Sequence, residues 1–307
     1  MKQTTFTFLF FAVVALVSCR KDKNDLTLTE YDDDQIKTYV SANGITGLTR
    51  DTSGMYYKII NPGSGTPLEY SDNVGIVYTV RSVDGKYTAT DTIINHFHDF
   101  VGRIDNTGYP LGFGITGVQR AVHDLLKYKG ASMRLLVPSR LGYGVSGAGT
   151  GSSEVSAGRI AGNQSLDLYI HVINNQVAYD KQTIRNFITA NNLGASVVED
   201  ADGYWYNMRT PGTGTVAITN NTTITATYTA RLLNGTIVDQ YNIQGGTTFE
   251  IPSLIEGVRE GLKKHATAGA LITFIIPSTK AYGKVVNGAI PANSNIRFEV
   301  QVISVNP

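Results

Sequence analysis

The chain is poor in residues that staple, ligate or attack. Its 307 residues hold a single cysteine, Cys19, so no disulfide closes within it. Its five histidines, His96, His98, His123, His171 and His265, have no paired Cys or Ser arrangement, which leaves nucleophilic catalysis without a candidate. An excess of one charge is lacking too. The 26 Lys and Arg stand against 25 Asp and Glu, and a chain this balanced has no electrostatic footprint for nucleic acid. The apolar run Phe6 to Val17 is too short for a stable membrane-spanning helix. Hydrophobic residues at 42% and charged ones at 17% make a globular composition, not a disordered one. What the chain does have is 32 Gly and repeated Thr, Val and Ile runs, which favour strands and tight turns over helical bundles. Its length suits two domains.

Lys2, the run Phe6 to Val17 and the ending Leu16-Val17-Ser18-Cys19 read as an export signal over residues 1–18. That ending resembles the bacterial lipoprotein box, which implies that Cys19 is lipidated and becomes the new N-terminus. The resemblance implies a membrane anchor, and residues 19–30 read as a flexible polar spacer.

An internal repeat sets the architecture. Tyr31-Asp32 through Asn43-Gly44-Ile45 aligns without gaps with Tyr179-Asp180 through Asn191-Asn192-Leu193. Ile36, Tyr39 and Val40 recur as Ile184, Phe187 and Ile188, at the spacing of a short amphipathic helix, with Asp32 and Asp180 expected as N-caps or first-turn acids. Further on, Asn61-Pro62-Gly63 faces Thr210-Pro211-Gly212, Tyr78-Thr79 faces Tyr228-Thr229, and Tyr143-Gly144 faces Tyr282-Gly283. So long a period indicates duplicated domains, 31–176 and 177–307, and not a solenoid.

Within the second unit Ile224, Ala226, Tyr228, Ala230 and Leu232 alternate with polar residues, the pattern of a half-buried strand. Ile296, Phe298, Val300 and Val302 predict another, and Leu271 to Ile276 a central strand. Leu254, Ile255, Val258 and Leu262 form one helical stripe, with Ser253 as its expected N-cap. The first unit repeats this with strands at Val74 to Val80 and Leu166 to Val172, and a stripe of Ile115, Val118, Val122 and Leu125. The fold class is α+β: two units, each an antiparallel sheet wrapped on one short helix and each preceded by a short helix.

The second unit resembles the FKBP-type peptidyl-prolyl cis-trans isomerases. The resemblance rests on Tyr228-Thr229, Asn234-Gly235-Thr236-Ile237-Val238-Asp239, Phe249-Glu250-Ile251, Leu254 through Leu262, Ile276-Pro277-Ser278, Ala281-Tyr282-Gly283, Ala289-Ile290-Pro291 and Ile296 through Val300. It implies two FKBP-like domains in an envelope lipoprotein of a Gram-negative bacterium, outer-membrane anchored. It also implies isomerisation of X-Pro bonds in unfolded or exported proteins, mainly by the second domain and without a cofactor or metal. The implied apolar cup is Tyr228, Phe249, Leu254, Ile255, Val258, Tyr282, Ile290 and Phe298, with Asp239 at its rim. Tyr282 O–H and Ile255 N–H are the implied donors to substrate carbonyls. Val258 stands where most active members carry Trp, and Val238 where they carry Phe, which predicts weaker proline affinity. In the first unit Tyr78, Ile115, Val118 and Tyr143 match, with Asp91 displaced by two residues and the second aromatic open between Tyr109 and Phe113. A second, weaker site of Tyr78, Asp91, Phe113, Ile115, Val118 and Tyr143 follows, in a degenerate copy with a binding or scaffolding role.

Other patterns carry less. His96-Phe97-His98 puts two His on one face of an extended segment, but lacks a third ligand beyond Asp99 or Asp105 and reads as a surface loop. Gly147 through Ser153 lacks the Lys and following helix of a phosphate cradle. Asp32-Asp33-Asp34 lacks calcium-loop spacing. The competing functions are a non-catalytic FKBP-fold chaperone or binding protein and, more remotely, a carbohydrate-binding module using Trp205.

Overall fold

A computed structural model describes residues 26–106, 110–151 and 158–307. Cys19, the signal and most of the spacer lie outside these residues, as does Tyr109.

The first unit opens with helix α1, Leu28–Ala42. Thr27 caps it: its side chain accepts from Glu30 N–H, and the Glu30 carboxylate accepts from Thr27 N–H. Strands β1 (Thr49–Arg50), β2 (Tyr56–Asn61), β3 (Asn73–Ser82), β4 (Thr88–Ala89) and β5 (His96–Phe100) follow. Helix α2, Thr116–Arg120, widens into a π-helical turn over Ala121–Leu126 before β6, Ser132–Val137. A small ribbon, β7 (Ala148–Gly149) with β8 (Arg159–Ile160), precedes β9, Leu166–Ile173.

The second unit repeats the plan. Helix α3, Gln176–Ala190, is capped by the Asn175 side chain, which accepts from Ala178 N–H. Strands β10 (Val198–Glu199), β11 (Trp205–Thr210), β12 (Thr223–Leu232), β13 (Ile237–Tyr241) and β14 (Thr247–Glu250) come next. Helix α4 (Glu256–His265), β15 (Leu271–Ile276) and β16 (Ile296–Asn306) complete it.

Both sheets are antiparallel and run in matching order. One is β1-β2-β6-β9-β3-β4 with β5 also on β3; the other is β10-β11-β15-β16-β12-β13 with β14 also on β12. The expected α+β layout of antiparallel sheets with few helices holds. The alternation read for β12 holds too: Ile224, Ala226, Ala230 and Leu232 are buried and Tyr228 is partly buried.

Three local expectations need correction. Asp32 and Asp180 are not caps but lie a turn inside their helices, fully buried. Each fastens its helix to the turn after a strand: Asp32 accepts from Arg140 N–H, and Asp180 accepts from Ser278 Oγ at 2.6 Å and Gln176 Nε2 at 2.7 Å. Ser253 does not cap α4, because its hydroxyl donates to Glu250 O within a 3₁₀ turn containing Pro252.

Glycine lets α4 lie close to the sheet. A Cβ on Gly257 would stand 2.4 Å from Ile276 Cγ2, and one on Gly261 2.3 Å from Phe274 Cε1. This close approach sets the depth at which α4 holds Val258 and Leu262 against β12 and β16.

Candidate active site

Four strands and one helix converge on a cavity of about 260 Å³ in the second unit. β12 supplies Ile224, Ala226 and Tyr228; β13 supplies Asp239; β14 supplies Phe249; β16 supplies Phe298 and Val300. Ladder register explains the grouping. Ala230 is paired with Phe298 on one side and Asp239 on the other, while Tyr228 is paired with Val300. Leu254 and Ile255 enter from the extended segment ahead of α4, and Val258 and Leu262 from its first turns. Tyr282 closes the wall from the loop after β15.

The aromatic walls meet at angles suited to ring quadrupoles. Phe249 stands edge-on to Tyr228 with centroids 5.6 Å apart, and Phe298 is tilted at 6.2 Å. The polar feature is at the rim, where Tyr228 Oη donates to Asp239 Oδ2 at 2.6 Å. Burial, with Asp239 as bond acceptor and charge, pushes the Tyr228 phenol above its ordinary range. Burial and the Asp239 charge push Tyr282 up as well. Both hydroxyls therefore remain donors at neutral pH. The N–H of Ile255 precedes the first turn of α4, so helical bonding does not consume it.

Eight of the nine residues expected in the second-unit cup line the cavity; Ile290 packs nearby in the same core, buried but off the lining. Beyond the expected residues, Ile224, Ala226, Ser253, Leu262 and Val300 also line the cavity. Four of these were already on the inward faces of the strands and helix expected from the sequence, so their periodicity was the available signal. Past Val258 the lining reaches Ile224, Ala226 and Leu262.

In the first unit the corresponding residues close on themselves. Tyr78, Phe113, Ile115 and Val118 are buried together, with Phe113 stacked on Tyr78 at 4.2 Å and Phe97 5.2 Å from Phe113. The Tyr143 hydroxyl accepts from Gly112 N–H at 2.8 Å. Asp91 is not brought to this group. Its ladder position is taken by Ala89, paired with Val80 as Asp239 is with Ala230, and among the described residues the buried Tyr78 hydroxyl has no hydrogen-bond partner. Asp91 instead accepts from Asn234 Nδ2 of the second unit. The aromatic from the strand equivalent to β14 is Phe97, which the sequence argument had not considered.

The remaining candidates have structural employment. His96 and His98 lie on β5 against the second unit and not in a surface loop. His123 stacks on Tyr70, and His265 bonds Asp200 while stacked on Tyr206. Asp33 binds Lys37, Arg50 and Tyr56, which hold its carboxyl at about 2 against a smaller opposing effect of burial. Trp205 is buried against Ile184, Leu233 and Ile275, which removes its face from any sugar.

Residues 214–303 match the family described as FKBP-type peptidyl-prolyl cis-trans isomerase. The chain is similar to the peptidyl-prolyl cis-trans isomerase Mip of Coxiella burnetii, 35% identical over 39% of this chain and 53% of the relative. It is similar also to the outer membrane protein MIP of Legionella longbeachae, 31% identical over 39% of this chain and 51% of the relative. Among solved structures, FkpA from Escherichia coli aligns at 28% identity over 43% of this chain and 61% of that one, with a TM-score of 0.38. The chain thus spans about half the length of the curated relatives it matches. The second unit, which carries the open cavity, is a domain of the FKBP-type peptidyl-prolyl cis-trans isomerase family.

Proposed function

We propose that the second unit isomerises X-Pro bonds in exported proteins, and that lipidation of Cys19 tethers the chain to the outer membrane of a Gram-negative envelope. The observation that carries the reading is an apolar, aromatic-walled cavity whose rim holds two protonated phenols and one carboxylate.

Resonance stiffens an X-Pro amide against a rotation barrier of about 18–20 kcal/mol. The twisted transition state loses that resonance and is less charge-separated than the planar amide. A dry cup therefore disfavours the ground state relative to the transition state, which is differential binding without acid, base or nucleophile. Tyr282 Oη and Ile255 N–H donate to substrate carbonyls, and Asp239 fixes the Tyr228 ring through its hydrogen bond. The first unit, whose equivalent cup is filled by Phe113, serves as a scaffold.

A second reading, holding unfolded chains without turnover, draws on Val285 and Val286, which are 68% and 65% exposed just after Tyr282. Both readings meet in one experiment on the soluble chain 20–307: a proline-isomerisation assay on a peptide with a hydrophobic residue before Pro. Isomerase function predicts activity lowered by Tyr282→Ala and by Asp239→Ala, with a flat rate from about pH 6 to 8, since no group needs to titrate there. A bell-shaped profile refutes this mechanism. Absence of turnover with aggregation of clients still suppressed transfers the function to holding. Cys19→Ser in the full-length protein should move it from the membrane to the aqueous fraction.

A further inference from the structure

Two loops carry the polar residues of the cup, and the first unit grips both. The turn Asn234-Gly235 leads into β13 and Asp239. Its Asn234 side chain donates to Asp91 Oδ2 at 2.5 Å and accepts from Thr236 N–H at 3.0 Å. Asp91 is itself braced, because its Oδ1 accepts from Ile93 N–H at 2.9 Å. Ile93 packs into the cluster of Trp205, Leu233 and Ile275 under α3.

The other loop runs from Tyr282 to Asn293, and residues 284–289 within it are exposed throughout. Its two ends are tied together, since Asn293, in a left-handed conformation at φ 57°, donates its N–H to Gly283 O at 2.7 Å. β5 holds this tie from outside. His96 lies between the two units with Nδ1 3.0 Å from Ala292 O and Nε2 2.9 Å from Thr92 O; the neutral ring carries one N–H, and the Nδ1–H tautomer donates across to Ala292 O. The Asn293 side chain meets His98 Nδ1 at 3.3 Å, and it lies so near β3 that a Cβ on Gly75 would stand 3.3 Å from it.

The first unit shows what is intrinsic and what is added. There Asn163 adopts the same left-handed turn, at φ 59°, and donates to Gly144 O at the same 2.7 Å. Among the described residues its side-chain oxygen is buried without a partner and no histidine braces it. The tie belongs to the fold; the grip on it belongs to the pairing of units.

We infer that the first unit is a positioning element for the second unit's cup, with Asp91, His96 and His98 as positioning residues that hold the loops bearing Asp239 and Tyr282. This rests on the isomerase reading above. A loop that is already held need not be ordered when substrate arrives, and fewer molecules sit in incompetent arrangements.

The test uses the chain 20–307 with His96→Leu, His96→Asn and, on the exposed side of the other contact, Asn234→Ala. Backbone hydrogen exchange over 236–241 and 282–293 is measured beside kcat and KM. His96→Leu should speed exchange at Asn293 by about five- to tenfold. It should raise KM with less change in kcat, while the second unit's melting temperature holds. His96→Asn, whose amide nitrogen stands where Nδ1 meets Ala292 O, should recover most of both. Asn234→Ala should loosen 236–241 and leave 282–293 protected. Unchanged exchange in both loops, or a KM rise that Asn does not recover, overturns the inference. If the unaltered chain shows no turnover, the isomerase reading fails separately, and the exchange data alone decide whether the grip exists.

Discussion

Replacing Gly261 by alanine sets two known effects against each other. Alanine is favoured over glycine inside a helix by about 1 kcal/mol, so propensity alone predicts a more stable α4. The structure predicts the reverse. A Cβ at this position would lie 2.3 Å from Phe274 Cε1 and 2.9 Å from both Cδ1 and Cζ. Favourable carbon contacts begin near 3.5 Å, so ring and helix must part by about 1 Å. Phe274 has no room to give, being wholly buried on a central strand with Phe298 as its ladder partner. Overpacking of this kind destabilises by about 1–3 kcal/mol, and a rigid ring places it at the upper end. The net loss is about 1–2 kcal/mol, a fall of about 3–10 °C in the melting temperature of the second unit. Because α4 carries Val258 and Leu262, the displaced helix should also weaken peptide binding. Calorimetry on the chain 20–307 reads the first effect and KM the second. Gly194→Ala is the control, as nothing lies within 4 Å of its Cβ position and its φ is not left-handed. A Gly261→Ala melting temperature equal to or above the parent's would refute the packing argument.

Tyr228→Phe removes the donor to Asp239 while keeping the ring; the freed carboxylate is exposed and rehydrates, so stability should change by less than about 1 kcal/mol while kcat/KM falls several-fold. Asp180→Ala strands the Ser278 hydroxyl in the core and should cost about 2–4 kcal/mol in chemical denaturation. Burial raises the Asp180 carboxyl above its ordinary value despite its hydrogen bonds. Its contribution is therefore full below the unfolded carboxylate pKa and declines as pH rises through the folded one, and Asp180→Asn should flatten stability over that window. His96 and His98 are both pushed below the ordinary histidine value, chiefly by burial, with Asp91 opposing at His96, Lys284 reinforcing at His98 and Asp99 opposing there. The unfolded chain then binds the extra protons, so the stability of the folded chain should fall as pH drops below about 6.5, and His96→Leu should reduce that dependence in chemical denaturation.

The sheets were legible because burial on one face imposes a period of two, and β12 and β16 obey it up to the bulge that follows Val302. Most of the cup was legible for the same reason, since its walls are those inward faces. The start of α4 was not: a stripe of Leu254, Ile255 and Val258 looks helical, yet Pro252 sets a 3₁₀ turn and the chain stays extended through Ile255. Asp91, His96 and His98 were misplaced for a different cause. Their partners, Asn234, Ala292 and Asn293, lie more than a hundred residues away in loops of the other unit, and no local pattern encodes such a meeting.

Phe113, stacked on Tyr78, has one more consequence. It acts as a resident guest, covalently part of its host, in the place the second unit leaves vacant. A fold that carries its own guest keeps that packing energy at every concentration of client, whereas its sibling gains it only when something binds. On slow heating the empty half should therefore melt ahead of the furnished one. Saturating the chain with a proline peptide should draw the two transitions together, by raising the lower one alone.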